Sequence, residues 1–321
     1  MHPRLYLGTI GLSVWYSDDL GESLGRYLSD SGLYSESRVW ALARHPSVPD
    51  EILAGTDSGV YRLDRKSGRF TQVPSPMDSL CVWSIARSPH DPDVVLAGTR
   101  PAALFRSEDG GRKWRRLEVP FPETCRAVLF PRVTQILFDP EDPALVLAGV
   151  EIGGVWRSHD GGKRWENSSA GLESDDVHGL AIVRNGARTV FATTNKGVHV
   201  SHDDGETWTL RPLDSPWQYT RSIVPRADRS GVLFMTNGDG PPGSTGRLLR
   251  SRDYGTHWED ARLPGEIMST PWCIATDSAD PALVFVSTCL GQIFRSSDGG
   301  ESWVKTRRQL GEMRALLWAP N

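Results

Sequence analysis

Cysteine is scarce. Cys81, Cys125, Cys273 and Cys289 are the four in the chain, and no two of them form a CxxC or a zinc-ligand spacing. That argues against a disulfide framework or a cysteine metal centre and fits a reduced, cytoplasmic setting. No apolar run reaches transmembrane length, so no membrane association is expected. The first residues, MHPRLYLGTIGLSVWY, lack both a charged-then-apolar leader and a small-residue cleavage site, so no export signal is expected. There is no excess of positive charge either. The formal net charge is -4, which argues against a nucleic-acid partner. No segment sustains a helical period. No Gly-x-Ser-x-Gly elbow appears, which removes the commonest nucleophilic hydrolase.

What the chain does have is repetition. The pattern Ser-x-Asp-x-Gly-x-x-Trp occurs as SEDGGRKW, SHDGGKRW, SHDDGETW, SRDYGTHW and SSDGGESW, starting at Ser107, Ser158, Ser201, Ser251 and Ser296. A degenerate copy, SDDLGESL from Ser17, has Leu24 in place of the Trp. The spacing of roughly 43 to 51 residues suits one four-stranded propeller blade. Ahead of each copy stands the same text: an apolar run, a Pro/Asp turn, then a second run ending in small residues. VWSIARSPHDPDVVLAGT from Val82 and VTQILFDPEDPALVLAGV from Val133 are two examples. Short Val, Ile, Leu and aromatic runs between Gly, Pro and Asp turns read as strands.

The count gives six whole units and one divided between the ends. RLYLGTIGL begins at a second strand, and MRALLWAP is a first strand without a sequel. The expected fold is therefore all-β: one seven-bladed propeller over residues 1–321, closed by pairing the terminal strands. Blade 1 is split into 4–27 and 313–320. Blades 2 to 7 are expected near 38–73, 81–119, 132–169, 176–213, 219–263 and 270–309. Blade 2 keeps the spacing but has lost the octapeptide.

The octapeptide resembles the BNR or Asp-box repeat of propeller proteins, a group that includes bacterial sialidases, some endo-glucanases, sortilin-type receptors and photosystem assembly factors. The resemblance covers nearly the whole chain. It implies the propeller fold and places the box in a tight turn on the side away from the ligand face. The residue types suit that place. Gly permits positive φ, and Asp19, Asp109, Asp160, Asp203, Asp253 and Asp298 can cap turn amides with their serines. Trp114, Trp165, Trp208, Trp258 and Trp303 can cover the turns. One carboxylate per turn is far short of a calcium shell, so neither a metal nor a cofactor is expected.

Function is sought where the repeats differ. Aligned on their Pro turns, the innermost strands offer Trp40, Trp83, Thr134, His178, Arg221, Trp272 and Arg314. Indoles beside guanidiniums suit an anionic or planar ligand. One loop outward lie Ile10, Asp57, Arg100, Glu151, Asn195, Asn237 and Cys289. Two insertions, Val119–Arg132 and Asn237–Arg247, lengthen the same face. The expected ligand-binding residues are Arg221, Arg314, His178, Trp40, Trp83, Trp272 and Arg100. The expected partner is a small anionic or aromatic ligand, or an acidic peptide or protein. The alternative is a glycosidase or lyase at the same mouth. On the sialidase resemblance, Arg100, Arg221 and Arg314 would supply cations, Glu151 and Tyr219 a nucleophile pair, and Asp57 or Asp176 an acid. Departures from that family are plain: no Arg-Ile-Pro signature (FPR at Phe130–Arg132 is not it), and seven blades where the sialidase domain has six. His178 stands alone in its ring, which disfavours channel-bound iron.

Overall fold

In the computed structural model, which describes residues 3–48 and 50–320, the strands form seven antiparallel four-stranded sheets. The first strands of the sheets touch one another in a closed cycle, which makes the molecule a seven-bladed β-propeller with those strands around the axis. They are Met313–Ala319, Val39–Arg44, Cys81–Arg87, Arg132–Phe138, Val177–Asn185, Tyr219–Pro225 and Pro271–Ala275 for blades 1 to 7. Blade 1 is the composite one. Met313–Ala319 pairs antiparallel with Arg4–Thr9, from Thr9 opposite Met313 to Arg4 opposite Ala319. Closure gives blade 1 its innermost strand and so covers the inner edge of Arg4–Thr9.

The core lies between blades. Leu53 and Val60 of blade 2, for instance, pack with Val82, Val95, Phe105 and Trp114 of blade 3. The small residues ending each second run follow from this packing. A Cβ on Gly55 would stand 2.7 Å from the Val82 carbonyl oxygen, and one on Gly98 2.5 Å from the Val133 side chain. Only glycine lets these strands of adjacent blades approach so closely.

The octapeptides form the turns between third and fourth strands. Ser107 Oγ donates to Asp109 Oδ1 (2.8 Å) and accepts from the Gly111 amide (2.9 Å); Asp109 Oδ1 accepts from the amides of Arg112 and Lys113. The same Ser–Asp–amide network recurs at Ser17, Ser158, Ser201, Ser251 and Ser296. The Ser23 hydroxyl and amide pull Asp19 down to about 2. At Asp203 and Asp298 burial works the other way but is outweighed by the Thr207 and Ser302 hydroxyls, leaving both at about 2. Four of the turns are tied to the turn after their blade's first strand: the amides of Gly110, Gly161, Tyr254 and Gly299 donate to the carbonyls of Asp93, Ala144, Gly231 and Ala282. The octapeptides thus occupy the face opposite the loops that join second to third strands.

Their tryptophans fasten one blade to the one before it. Trp114 packs in the Leu53 cluster, Trp208 beside Leu147, and Trp303 edge-on to Phe234 with ring centroids 6.0 Å apart. Arginines reach the opposite way, Arg106 donating to the Gly161 carbonyl at 2.6 Å. Trp114→Ala is expected to cost about 3–5 kcal/mol, and Trp165→Ala less, because that ring is only partly covered. Urea titrations measure both. Unchanged stability together with a loss of ligand binding would place function on the octapeptide face instead.

Candidate functional site

The seven aligned residues share a backbone peculiarity. In every blade the ladder between first and second strands shifts register at that position. Val39 pairs with Thr56 and Ala41 with Gly55, which leaves Trp40 unpaired. The same shift isolates Trp83, Thr134, His178, Trp272 and Arg314, and in blade 6 both Arg221 and Ser222 fall within it. A β-bulge frees a residue from the pleat and re-aims its side chain. Here all seven border one axial cavity of about 320 Å³.

The aromatic residues are arranged in two groups. Trp40 and Trp83 stack on each other, centroids 5.3 Å apart and 22° between planes, and the Arg132 guanidinium lies 4.2 Å from the Trp83 ring centre. Across the channel the Trp272 indole receives two guanidiniums, Arg221 at 4.3 Å and Arg314 at 4.2 Å. Arg314 pairs with Glu312 through Nη2, while its Nη1 is buried without a hydrogen bond. Arg221 is 8% exposed and makes no ion pair with any described residue. Asp176 feels its charge, but no carboxylate of a described residue stands within ion-pair distance to offset the cost of burying it, and the Arg221 side chain borders the cavity.

At the rim, Arg132 forms a two-point ion pair with Glu151. His178 Nε2 lies 3.1 Å from Asp176 Oδ1, and its Nδ1 lies 2.6 Å from the Thr220 carbonyl. The Tyr219 ring packs against His178, centroids 4.9 Å apart. Burial raises the Asp176 pKa, but the His178 contact and the charges of Arg221 and Arg132 outweigh it and hold the carboxyl below its ordinary range. Burial pushes the Tyr219 phenol up, against the pull of Arg221, so it remains a donor. Burial also pushes the Cys273 thiol, on the channel wall, up to about 11 and so keeps it un-ionised.

The structure thus brings Trp40, Trp83, His178, Arg221, Trp272 and Arg314 around one cavity, with Glu151, Asp176 and Tyr219 beside His178. Two of the candidates do not line the cavity. Arg100 is turned to the Val128 carbonyl of the inserted loop, at 3.1 Å. Asp57 caps the Arg38 amide over in blade 2. Two members of the outer ring are structural: Asn237 is buried and donates to the carbonyls of Trp217 and Tyr219, and Cys289 is buried. The residue that repeat alignment misses is Arg132. It ends the Val119–Arg132 insertion, whose Phe121 packs edge-on to Trp156, and its only sequence signal is an arginine where that insertion meets the first strand.

Fold and channel define a seven-bladed β-propeller with an aromatic and cationic mouth. No family model matches the chain. It is similar to a xyloglucanase of Paenibacillus sp., 26% identical over 238 residues that make up 63% of this chain and 23% of the relative. It is also similar to sortilin of Mus musculus, 23% identical over 215 residues, 64% of this chain and 24% of that one. The chain therefore spans about a quarter of the length of these relatives. Among solved structures, the Niastella koreensis GH74 enzyme superposes with a TM-score of 0.66 at 18% identity, covering 83% of this chain and 45% of that one. YCF48 bound to D1 peptide superposes with a TM-score of 0.55 at 13% identity, covering 84% and 82%. These likenesses are to β-propellers. No helix among the described residues is long and apolar enough to cross a membrane.

Proposed function

We propose that this propeller binds an anionic or aromatic group, carried by a small ligand or an acidic protein segment, at the channel mouth opposite the octapeptide turns. The observation that carries the reading is Arg221: buried, without an ion pair, and set with Arg314 against one indole. A carboxylate entering there would gain charge-assisted bonds from both guanidiniums, and its planar part could stack on Trp272. The Ser–Asp–amide turns support reading the octapeptides as structural Asp-boxes, which leaves the opposite face for recognition. A protein partner is in keeping with the fold, since YCF48 was solved with a bound peptide. A cytoplasmic setting forms part of this reading, on the cysteine grounds above.

A glycosidase or lyase is the second reading, favoured by the xyloglucanase likeness and by Glu151 and Asp176, whose carboxylates offer oxygens within 4.8 Å of each other. Hydrolysis by two carboxyls needs one of them protonated. Here Glu151 is clasped by Arg132 and Asp176 is held low, so the binding reading ranks first.

The test is Arg221→Ala combined with Arg314→Ala, followed by thermal shift against anionic sugars, aromatic acids and acidic peptides. A compound that stabilises the native protein is expected to lose at least tenfold in affinity, about 1.4 kcal/mol or more. An equal response from the double variant rejects the site.

A further inference from the structure

We propose that Glu151, Asp176 and His178 form a binding site for a divalent transition-metal cation at the channel rim. The backbone brings the three together: Glu151 ends the second strand of blade 4, and it forms an isolated antiparallel bridge with Asp176 at the start of blade 5. One ligand atom from each of the three residues lies within 4.8 Å of the others.

The hydrogen bonding around His178 carries the assignment. Its side chain is 1% exposed, and Nδ1 lies 2.6 Å from the Thr220 carbonyl. A carbonyl oxygen can only accept, so Nδ1 bears a proton. An Nδ1–H bonded to a carbonyl is also the arrangement that orients metal-binding histidines and leaves Nε2 as the ligand. Nε2 faces Asp176 Oδ1 at 3.1 Å, an ion-pair distance if the ring carries a second proton, and that oxygen is shielded from solvent with no partner besides His178 among the described residues. Two electron-rich atoms so placed need a cation, either a second proton on the ring or a metal. A tetrahedral ion with bonds of about 2.0–2.1 Å separates its ligands by about 3.3 Å, close to the gap observed.

Glu151 would complete the set by releasing one oxygen from Arg132. One imidazole and two carboxylates select the zinc, cobalt and manganese class over magnesium or calcium, which prefer oxygen alone. The charges facing the site are Arg132 and Arg221, with the Tyr219 phenol beside them. Arg132 competes with the ion for Glu151. Neither Arg221 nor Arg314 is a ligand, so the site stands or falls independently of the anion reading.

The test is a calorimetric titration of the full chain with Co²⁺, with visible absorption spectra and displacement by Zn²⁺. One equivalent is expected to bind. Asp176→Asn and His178→Gln should each weaken it at least tenfold, and Arg132→Gln should strengthen it by freeing Glu151. Should His178→Gln fail to fold, the isosteric pair Asp176→Asn and Glu151→Gln decides. Absence of stoichiometric uptake overturns the assignment. So does uptake unchanged by these substitutions, which would belong to surface histidines, or a nitrogen NMR signal showing His178 still doubly protonated at saturating metal.

Discussion

Truncation after Gly311 is expected to leave a chain with no cooperative thermal transition. The missing strand supplies the whole inner ladder of blade 1, six paired positions against Arg4–Thr9. It also supplies buried Met313, Trp318 and Ala319, which pack with Leu5, Leu7, Phe285 and Ile293 or with the neighbouring cluster around Tyr6. Loss of a buried Trp alone costs about 3–5 kcal/mol, against a typical total stability of about 5–15 kcal/mol. Losing the ladder and its neighbours as well exceeds that reserve, and it bares the inner edge of Arg4–Thr9 for pairing with other chains. Circular dichroism melts of the truncated and full chains make the comparison. An unchanged melt would mean that blade 1 is not what closes the ring.

Asp139→Ala is expected to cost about 3 kcal/mol in urea unfolding, the lower end of what breaking a buried ion pair removes. Asp139 is fully buried, and its Oδ2 lies 2.8 Å from both Arg184 Nη2 and Arg188 Nε. Its Oδ1 also accepts from the amides of Glu141 and Asp142. Alanine would leave two cations against an apolar gap. The cost stays at the lower end because Arg184 retains Glu141, and Arg188 retains Asp142 and Asp204. Asp139→Asn separates charge from turn capping, since it keeps one acceptor for the amides. A loss below about 1 kcal/mol for the alanine variant, the range of surface pairs, would show that the remaining carboxylates are sufficient.

Much of the fold was legible because the chain repeats itself. The Pro/Asp turns fix the alignment, and RLYLGTIGL resumes where MRALLWAP stops, so blade number and closure follow from counting. The aligned ring could be read for the same reason. What could not be read depends on contacts across blades. Glu151, Asp176 and His178 come from two repeats and meet through a single bridge that no periodicity announces. Arg132 opens the first strand of blade 4 in the ladder position that Cys81 holds in blade 3, two residues before the ring position at Thr134 on which the alignment was read. Arg100 was placed at the mouth by alignment alone, but the conformation of the inserted loop decides where its guanidinium goes.

The register shifts that carry Trp40, Trp83, Thr134, His178, Arg221, Trp272 and Arg314 have a consequence for how such a molecule can change. Each residue stands outside the ladder, with regular pairing resumed on either side. A substitution there alters the wall of the channel while the strands keep their partners. The scaffold therefore offers seven addresses that mutation can rewrite one blade at a time, and a library randomised at those positions would explore new recognition chemistry on a constant frame.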